Sequence, residues 1–219
     1  MIPTPISRGR KLRRKDSEQE TTVESEVDMC KDIVVYDIEI AKSVEEAGGW
    51  DNVRRGAAGI SFAVSYSYRD NQYRVFDHKT LDDLRTQLTE AGLVVGFNHM
   101  QFDNEVLKNL TGNQDMEISE NYDILRQIQK ALGGMKKGNK LDQVSVRTLG
   151  PKFAKCGEGA MAPVLYQDEK YAELITYCMR DVYLTKMLFD FILQHQYVIS
   201  LENQKLVVGL PDFQIVMAH

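Results

Sequence analysis

The sequence predicts an α/β fold in which helices pack on a mixed β-sheet, because strand and helix patterns alternate along the chain after residue 30. Apolar runs rich in β-branched residues predict strands at 33–40 and 93–97, and an alternating stretch at 60–76 predicts an antiparallel hairpin. Apolar residues with a period near 3.6 predict a long helix over 168–196. Strands that alternate with helices in this order are typical of α/β layers.

The remaining segments complete this outline. Residues 43–59 are expected to form a polar loop punctuated by glycine, and the last stretch, 197–210, to form a C-terminal hairpin. Thr80 is a suitable N-cap and Gly92 a suitable stop for a helix between them. Further helical patterns lie at 102–110, 122–132 and 141–149.

Composition limits the number of domains. The chain has 219 residues and is 43% hydrophobic, enough for one sizeable core. Residues 1–30 differ, with a basic run at 8–15, an acidic run at 16–28 and almost no apolar periodicity. We therefore expect a disordered charged tail over 1–30 and one folded domain over 31–219.

Several classes of protein are disfavoured. No apolar run approaches the ~20 residues of a membrane span, and the N-terminus lacks the apolar core of a secretory signal. An odd, widely spaced set of cysteines argues against a disulfide framework or a zinc site and suits a reducing compartment, here the cytoplasm: Cys30, Cys156 and Cys178. The net charge of −5 means that any contact with nucleic acid must be local.

The first strand contains two carboxylates that need an explanation. Asp37 and Glu39 interrupt the apolar stretch "IVVYDIEI" two residues apart, so both lie on one face of the strand with Cα atoms about 6.6 Å apart. Like charges held this close repel each other and lose hydration. Either that face is open to water or a cation lies between them.

Two further motifs follow in order. The pattern N-x-x-x-F-D occurs once, at Asn98, Phe102 and Asp103, where it follows a buried strand and opens a helix. The pattern Y-x-x-x-D at Tyr177 and Asp181 lies on the long helix, where a spacing of four places both side chains on one face. The D-x-E and Y-x-x-x-D patterns recur elsewhere in the chain, so their order and structural context carry the signal.

Each motif alone also has an ordinary structural explanation. Asp37 and Glu39 can form a solvated strand end, and Asp103 can be a carboxylate favoured by the helix dipole. Tyr177 and Asp181 can be part of an ordinary helix surface.

Taken together, the three motifs resemble the DEDD exonucleases of the ribonuclease H-like superfamily. The stretch "ITYCMRD" has tyrosine four residues before aspartate, as in the tyrosine subclass, which includes proofreading exonuclease domains of DNA polymerases; the histidine subclass carries H-x-x-x-x-D instead. Segments such as "YDIEI", "VVGFNHMQFDNEVL" and "ITYCMRDVYLT" are also similar to largely uncharacterised bacterial and phage ribonuclease H-like domains, some of which occur beside helicase modules. The resemblance implies a five-stranded mixed sheet.

The resemblance also implies a metal site. Asp37, Glu39, Asp103 and Asp181 would converge as oxygen ligands, which suit Mg²⁺ or Mn²⁺, and two such ions about 3.5–4 Å apart can act on both oxygens of a phosphoryl displacement. By similarity to the family, Asp37 would bridge both ions. Glu39 and Asp181 would complete the site that activates water, and Asp103 would serve the other through bound water. Tyr177 would orient the attacking water.

A basic stretch is the first candidate for contacts with substrate. Residues 136–155 contain six lysines or arginines against one aspartate, which suits a phosphate backbone. Lys152 and Lys155 lie at the start of a glycine-containing segment, 152–163, that resembles a lysine-glycine segment of the same relatives. Such a segment can close over the end of a nucleic acid strand. A solvated connector explains this segment equally well.

Residues around the second motif are also candidates for contacts with substrate. Phe102 and His99 can stack on terminal bases, although Phe102 is equally suited to anchoring the motif in the core. Asn98 can hydrogen-bond near the site or cap the following turn. Asp123 and Asp142 also match the relatives, but helix-surface or capping roles explain them.

The leading functional hypothesis is metal-dependent hydrolysis of single-stranded DNA from its 3′ end, a polarity that comes from the resemblance. An RNA exonuclease is a close rival, because the residues that read a ribose 2′-OH are not identified. The same motifs are also compatible with a structure-specific endonuclease, and the same fold with a non-catalytic nucleic-acid-binding module. A helicase or a replication or repair protein on a separate chain is the expected protein partner, with no membrane involved.

Overall fold

The chain alternates between strands and helices over the residues that this computed structural model describes, which are 31–112, 116–118, 120–134, 139–154 and 159–211. The strands are β1 (Ile33–Ile40), β2 (Ile60–Ser67), β3 (Gln72–Phe76), β4 (Leu93–Gly96), β5 (Asn121–Asp123), β6 (Tyr197–Ile199) and β7 (Lys205–Val207). The α-helices are α1 (Trp50–Arg54), α2 (Leu81–Glu90), α3 (Asp103–Leu110), α4 (Ile124–Ala131), α5 (Leu141–Leu149), α6 (Ala162–Gln167) and α7 (Tyr171–His195). The predicted charged tail, 1–30, lies outside the described residues.

Five strands form one mixed sheet in the order β3-β2-β1-β4-β5. The pairs β1–β2 and β2–β3 are antiparallel, whereas β1–β4 and β4–β5 are parallel. Strands β6 and β7 form a separate antiparallel hairpin near the C-terminus. The predicted α/β fold with a mixed sheet and a C-terminal hairpin is therefore confirmed.

Strand β1 lies at the centre of the sheet and is covered on both faces. One face, with Val35 and Val64, packs under α7 through Val182 and Phe189. The other face carries Val34, Tyr36 and Ile38 into a second core that includes apolar residues of α2 and α3. A strand buried on both faces has a nearly continuous apolar sequence, which explains why its two carboxylates stand out.

The two strands that pair with β1 stop pairing with it at different residues. Pairing with β4 ends at Val35 opposite Val95, whereas pairing with β2 continues to Ile40, with an irregularity between Glu39 and Ile40. Beyond Val35, the edge of β1 that faced β4 is therefore open to residues of the β4–α3 turn. The carboxyl ends of parallel strands are the usual place for a ligand site in α/β sheets.

Three short elements differ from the prediction. The segment 43–59, expected to be a loop, contains α1, and the helical stretch predicted at 122–132 begins with β5, because elements of three to five residues are too short for a clear periodicity. Helix α6 precedes α7 as a separate element, because Glu169 adopts a left-handed backbone with φ of 58° and ends the first helix.

Helix α7 spans 25 residues and packs across β1 and β2. Its predicted length and position are confirmed to within three residues. Among the described residues, no helix combines the length and the apolar character that crossing a bilayer requires.

The packing of α7 on the sheet gives a test of the fold. Phe189 is fully buried, with its ring centroid 5.3 Å from that of Tyr122 and 6.2 Å from that of Tyr68. Phe189→Ala is expected to lower the free energy of unfolding by about 3–5 kcal/mol through lost burial and a new cavity, as measured by urea denaturation. Leu201→Ala, at a side chain that is 49% exposed, is the control and should change it by less than about 0.5 kcal/mol. Equal effects would contradict this packing.

Candidate active site

Asp37 and Glu39 lie side by side on the face of β1 that α7 covers. Glu39 is buried and Asp37 is half-buried. In the antiparallel register, Asp37 is opposite Val64 and Glu39 is opposite Phe62, so both acids have an apolar neighbour on β2. The predicted placement of both carboxylates on one face is confirmed, and that face is not simply open to water.

Helix α7 adds a thiol to this pair. The Cys178 Sγ is 3.5 Å from the Asp37 backbone carbonyl, to which the thiol donates, and 3.7 Å from Asp37 Oδ2. Ligand atoms of Asp37, Glu39 and Cys178 all lie within 4.8 Å of one another. Sequence reasoning missed Cys178; its position one turn before Asp181 was the available signal, because residues three apart on a helix share a face.

Asp103 contacts the backbone of the same strand. It is the first residue of α3, is only 3% exposed, and its Oδ1 accepts a 3.0 Å hydrogen bond from the backbone N–H of Ile38, between Asp37 and Glu39. Burial raises the pKa of Asp103 to about 7 against the lowering effect of this bond, and the charges of Asp123 and Asp181 raise it further. The second motif therefore meets the first at Ile38.

The charges of all four predicted acids affect the pKa of the Cys178 thiol. Burial raises its pKa well above the ordinary value, and the negative charges of Asp37, Glu39, Asp181 and Asp103 each raise it further. Of the four, Asp37 and Glu39 have ligand atoms within 4.8 Å of the thiol, whereas Asp181 and Asp103 act on it through their charges.

Tyr177 and Asp181 are both on the buried side of α7. Their exposed fractions are 7% and 4%. Their spacing of four residues places both on the side of the helix that packs against the sheet, rather than on a helix surface. The roles of Tyr177 and Asp181 at a metal site stay predictions.

Asp123 organises the turn that follows β4. Its carboxylate accepts hydrogen bonds from the backbone N–H groups of Asn98 at 2.9 Å and Met100 at 3.2 Å, and it caps α4 by accepting from Arg126 N. Asn98 has a left-handed backbone with φ of 69°, which this capping holds in place. The capping role of Asp123 is confirmed, and it also fixes the turn that leads to Asp103.

The prediction that His99 stacks on a base was wrong. His99 is completely buried, its Nε2 is 3.0 Å from Asn121 Oδ1, and its ring contacts Tyr36 edge to face. It lies so close to Gly96 that a Cβ there would be 2.6 Å from the His99 side chain. Burial lowers the pKa of His99, so the ring is held neutral inside the turn.

The residues predicted to contact substrate lie in different surroundings. Phe102 is half-buried against the core of the second face, and its ring lies 6.0 Å from that of Trp50. Lys152 is exposed, with its Nζ 5.1 Å from the Phe153 ring, whereas Lys155 lies outside the described residues. Roles in substrate binding for Asn98, Phe102, Lys152 and Lys155 stay predictions.

The segment containing Lys152 is fastened to α7. The guanidinium of Arg180 donates to the carbonyl oxygens of Lys152 at 2.9 Å and Ala154 at 3.2 Å. Arg180 directly precedes Asp181, so the residue next to a candidate ligand holds the start of the predicted lysine-glycine segment. This contact is a second feature that sequence reasoning missed.

The donor set fits a divalent cation. Carboxylate oxygens are the ligands that Mg²⁺ and Mn²⁺ prefer, and several buried acids whose charges converge are costly without a compensating positive charge. Cys178 lies beside Asp37 and Glu39, but burial raises its pKa and its thiol donates to the Asp37 carbonyl, so the carboxylates are the donors for a cation.

No protein-family model matches the chain, and no curated protein matches it. Among 128 matching chains of solved structures is the family B DNA polymerase from the hyperthermophilic archaeon Pyrobaculum calidifontis, with a TM-score of 0.58 and 17% sequence identity. The match covers 74% of this chain and 24% of the polymerase chain. This chain therefore spans about a quarter of the length of that polymerase, and at this identity the likeness shows a shared fold.

The raised pKa of Asp103 predicts how pH affects stability without metal. Between about pH 4 and pH 7 the folded protein keeps a proton on Asp103 that the unfolded chain has released, so the free energy of unfolding should fall as the pH rises through this window. Asp103→Asn cannot ionise and should show a smaller fall. Urea denaturation in EDTA at several values between pH 4 and pH 7.5 measures both; identical pH dependence in the two proteins would contradict the assignment.

Proposed function

We propose that the protein is a divalent-metal-dependent 3′–5′ exonuclease that hydrolyses phosphodiester bonds in single-stranded nucleic acid, with DNA favoured. The observation that carries the proposal is the pair Asp37 and Glu39 on β1, with the Asp103 carboxylate bonded to the N–H of the intervening Ile38 and the charge of Asp181 acting on Asp103. The order of the three motifs and their resemblance to DEDD exonucleases of the tyrosine subclass support the same activity, as does a fold shared with part of a DNA polymerase.

Four residues would hold the metal. Two Mg²⁺ or Mn²⁺ ions, when bound, would supply Lewis acidity that activates water and stabilises the departing 3′ oxygen of the shortened strand. Asp37 would serve both ions, Glu39 and Asp181 would complete the site that activates the attacking water, and Asp103 would help to hold the other ion. The position of Asp103 suits this role, because one of its oxygens is engaged by Ile38 N.

The chain's own side chains position the reactants. The hydroxyl of Tyr177, one turn before Asp181, would orient the attacking water. The raised pKa of Cys178 keeps its thiol protonated, so Cys178 is not a nucleophile here, and the neutral His99 is buried away from solvent and is not a base. The chemistry therefore rests on carboxylates and a phenol.

The proposed substrate and partners follow from charge and from the resemblance. In a protein of net charge −5, exposed cations such as Lys152 would provide local contacts with phosphates. A helicase or a replication or repair protein on another chain is the proposed protein partner. A cytoplasmic location stays a prediction from the sequence.

A denaturing-gel time course tests the activity. Single- and double-stranded DNA and RNA, each labelled at the 5′ end, are incubated with Mg²⁺ or Mn²⁺ and the wild-type protein, Asp37→Ala or Asp82→Ala. We expect a descending ladder from single-stranded DNA that Asp37→Ala abolishes and Asp82→Ala, at an exposed position of α2, leaves unchanged. A ladder only from RNA would identify an RNA exonuclease, and a few internal cuts would identify an endonuclease. Unchanged cleavage by Asp37→Ala would refute the assignment.

Tyr177→Phe separates orientation of the water from metal binding. Removing the hydroxyl should slow the chemical step by about 100-fold, because a poorly placed water is a poor nucleophile, while the carboxylates still hold the metal. Single-turnover rates measure the first effect, and the rise in melting temperature with Mn²⁺ measures the second. Loss of the metal-dependent shift together with the rate would show that Tyr177 acts on the site's structure instead.

A further inference from the structure

We propose that Trp50 is the stacking surface for an unpaired nucleobase of the substrate strand, held in edge-to-face contact with Phe102, the residue that precedes Asp103. This inference rests on the proposed function and adds a binding residue to it. Aromatic side chains bind single strands through stacking that tolerates any base, because every base has a π-face.

Trp50 presents its ring to solvent. It is the only tryptophan in the chain, the first residue of α1, and 55% exposed. Gly48 and Gly49 precede it with φ values of 80° and 109°, backbone conformations that favour glycine. The two glycines thus make the turn that directs the chain into α1 with the tryptophan outward.

The segment before Trp50 is firmly held. Ser43 N donates to Glu46 Oε2 at 2.7 Å while Glu46 N donates to Ser43 Oγ at 3.2 Å, a reciprocal pair that closes the turn after β1. Gly49 N donates to the carbonyl of Val44 at 2.7 Å. The exposure of the ring therefore belongs to an ordered surface, and a preorganised ring loses little freedom on binding.

Phe102 contacts Trp50 and directly precedes Asp103. The two rings meet edge to face, with centroids 6.0 Å apart and planes at 75°. Phe102 packs against the core and directly precedes Asp103, whose carboxylate accepts the N–H of Ile38. Because Phe102 is engaged by the core and by Trp50, the outward ring of Trp50 is the better surface for a base.

The charges around Trp50 suit a nucleic acid strand. Arg54 and Arg55 follow on and just after α1, and both are exposed. Arg54 pairs with Asp51 at 3.0 Å but keeps 45% of its side chain exposed. A single exposed apolar residue needs no functional explanation, but an exposed tryptophan that is followed by two exposed arginines and contacts a second aromatic ring has the composition of a single-strand binding surface.

The sole tryptophan makes the contact directly measurable. Asp37→Ala, which cannot cleave, is titrated with oligo(dT) in Mg²⁺ while the intrinsic fluorescence of Trp50 is followed, and a labelled oligonucleotide gives the affinity by anisotropy. We expect quenching of the tryptophan emission on binding, with less quenching by an oligonucleotide whose 3′-terminal residues lack bases. Replacing Trp50 by alanine in this background should weaken binding roughly 10- to 100-fold, and Trp50→Phe should restore much of it.

The outcomes separate this inference from the proposed function. Val207→Ala, at a side chain that is 67% exposed on β7, is the matched control and should leave the affinity unchanged. If the oligonucleotide binds but neither quenches Trp50 nor loses affinity in Trp50→Ala, stacking is overturned while the nuclease proposal stands. If nothing binds, the stacking inference falls, and the gel assay decides separately whether the nuclease proposal falls with it.

Discussion

The hydrogen bond from Ile38 N–H to the carboxylate of Asp103 is the contact on which the candidate site depends. Pairing between β1 and β4 stops at Val35, so the next backbone groups along that edge of β1 need other partners. Asp103, at the start of α3, supplies one of them at 3.0 Å. The same bond therefore satisfies the open edge of the strand and brings a third acid to Asp37 and Glu39.

Aspartates with different partners serve different purposes around this bond. Asp123 accepts three backbone N–H groups and shapes the turn from β4 to α3, which makes it a structural residue. Asp103 is equally buried and lies close to other acids, and burial raises its pKa to about 7, so it changes charge near neutral pH. One residue type thus provides both the scaffold and the chemistry, and the number of donors around each carboxylate decides which.

A neutral polar network supports the turn from the second face of the sheet. The Tyr36 hydroxyl donates to Asn104 Oδ1, Asn104 Nδ2 donates to Asn121 Oδ1, and Asn121 Oδ1 also lies 3.0 Å from His99 Nε2. Burial, followed by the charges of nearby acids, raises the pKa of Tyr36 well above its ordinary value, so its hydroxyl stays protonated. These uncharged partners position the backbone around Asp103 without adding charge to a cluster already rich in acids.

Periodicity and local turn chemistry explain which parts were predictable from the sequence. The hairpin at β2–β3 and the helix α7 have strong local signals, and the structure agrees with them. The three motifs have weak local signals and were singled out by their order along the chain. Residue His99 was misjudged because nothing in its neighbours indicates that it turns back onto Gly96 and Asn121. Cys178 and Trp50 were missed because their importance arises from contacts with Asp37 and Phe102, which are distant in the sequence.

The strand order has a further consequence for how the protein behaves at high concentration. The edges of the five-stranded sheet are β3 and β5, and β5 has only three residues, too few to template another chain. Strand β3 is longer and exposes Val75, but Arg74 beside it carries a charge and pairs with Asp70 at 2.6 Å. The short length of β5 and the charge on β3 discourage edge-to-edge aggregation. The addition of a sixth strand from a neighbouring molecule is therefore disfavoured in the sheet that carries Asp37 and Glu39 at its centre.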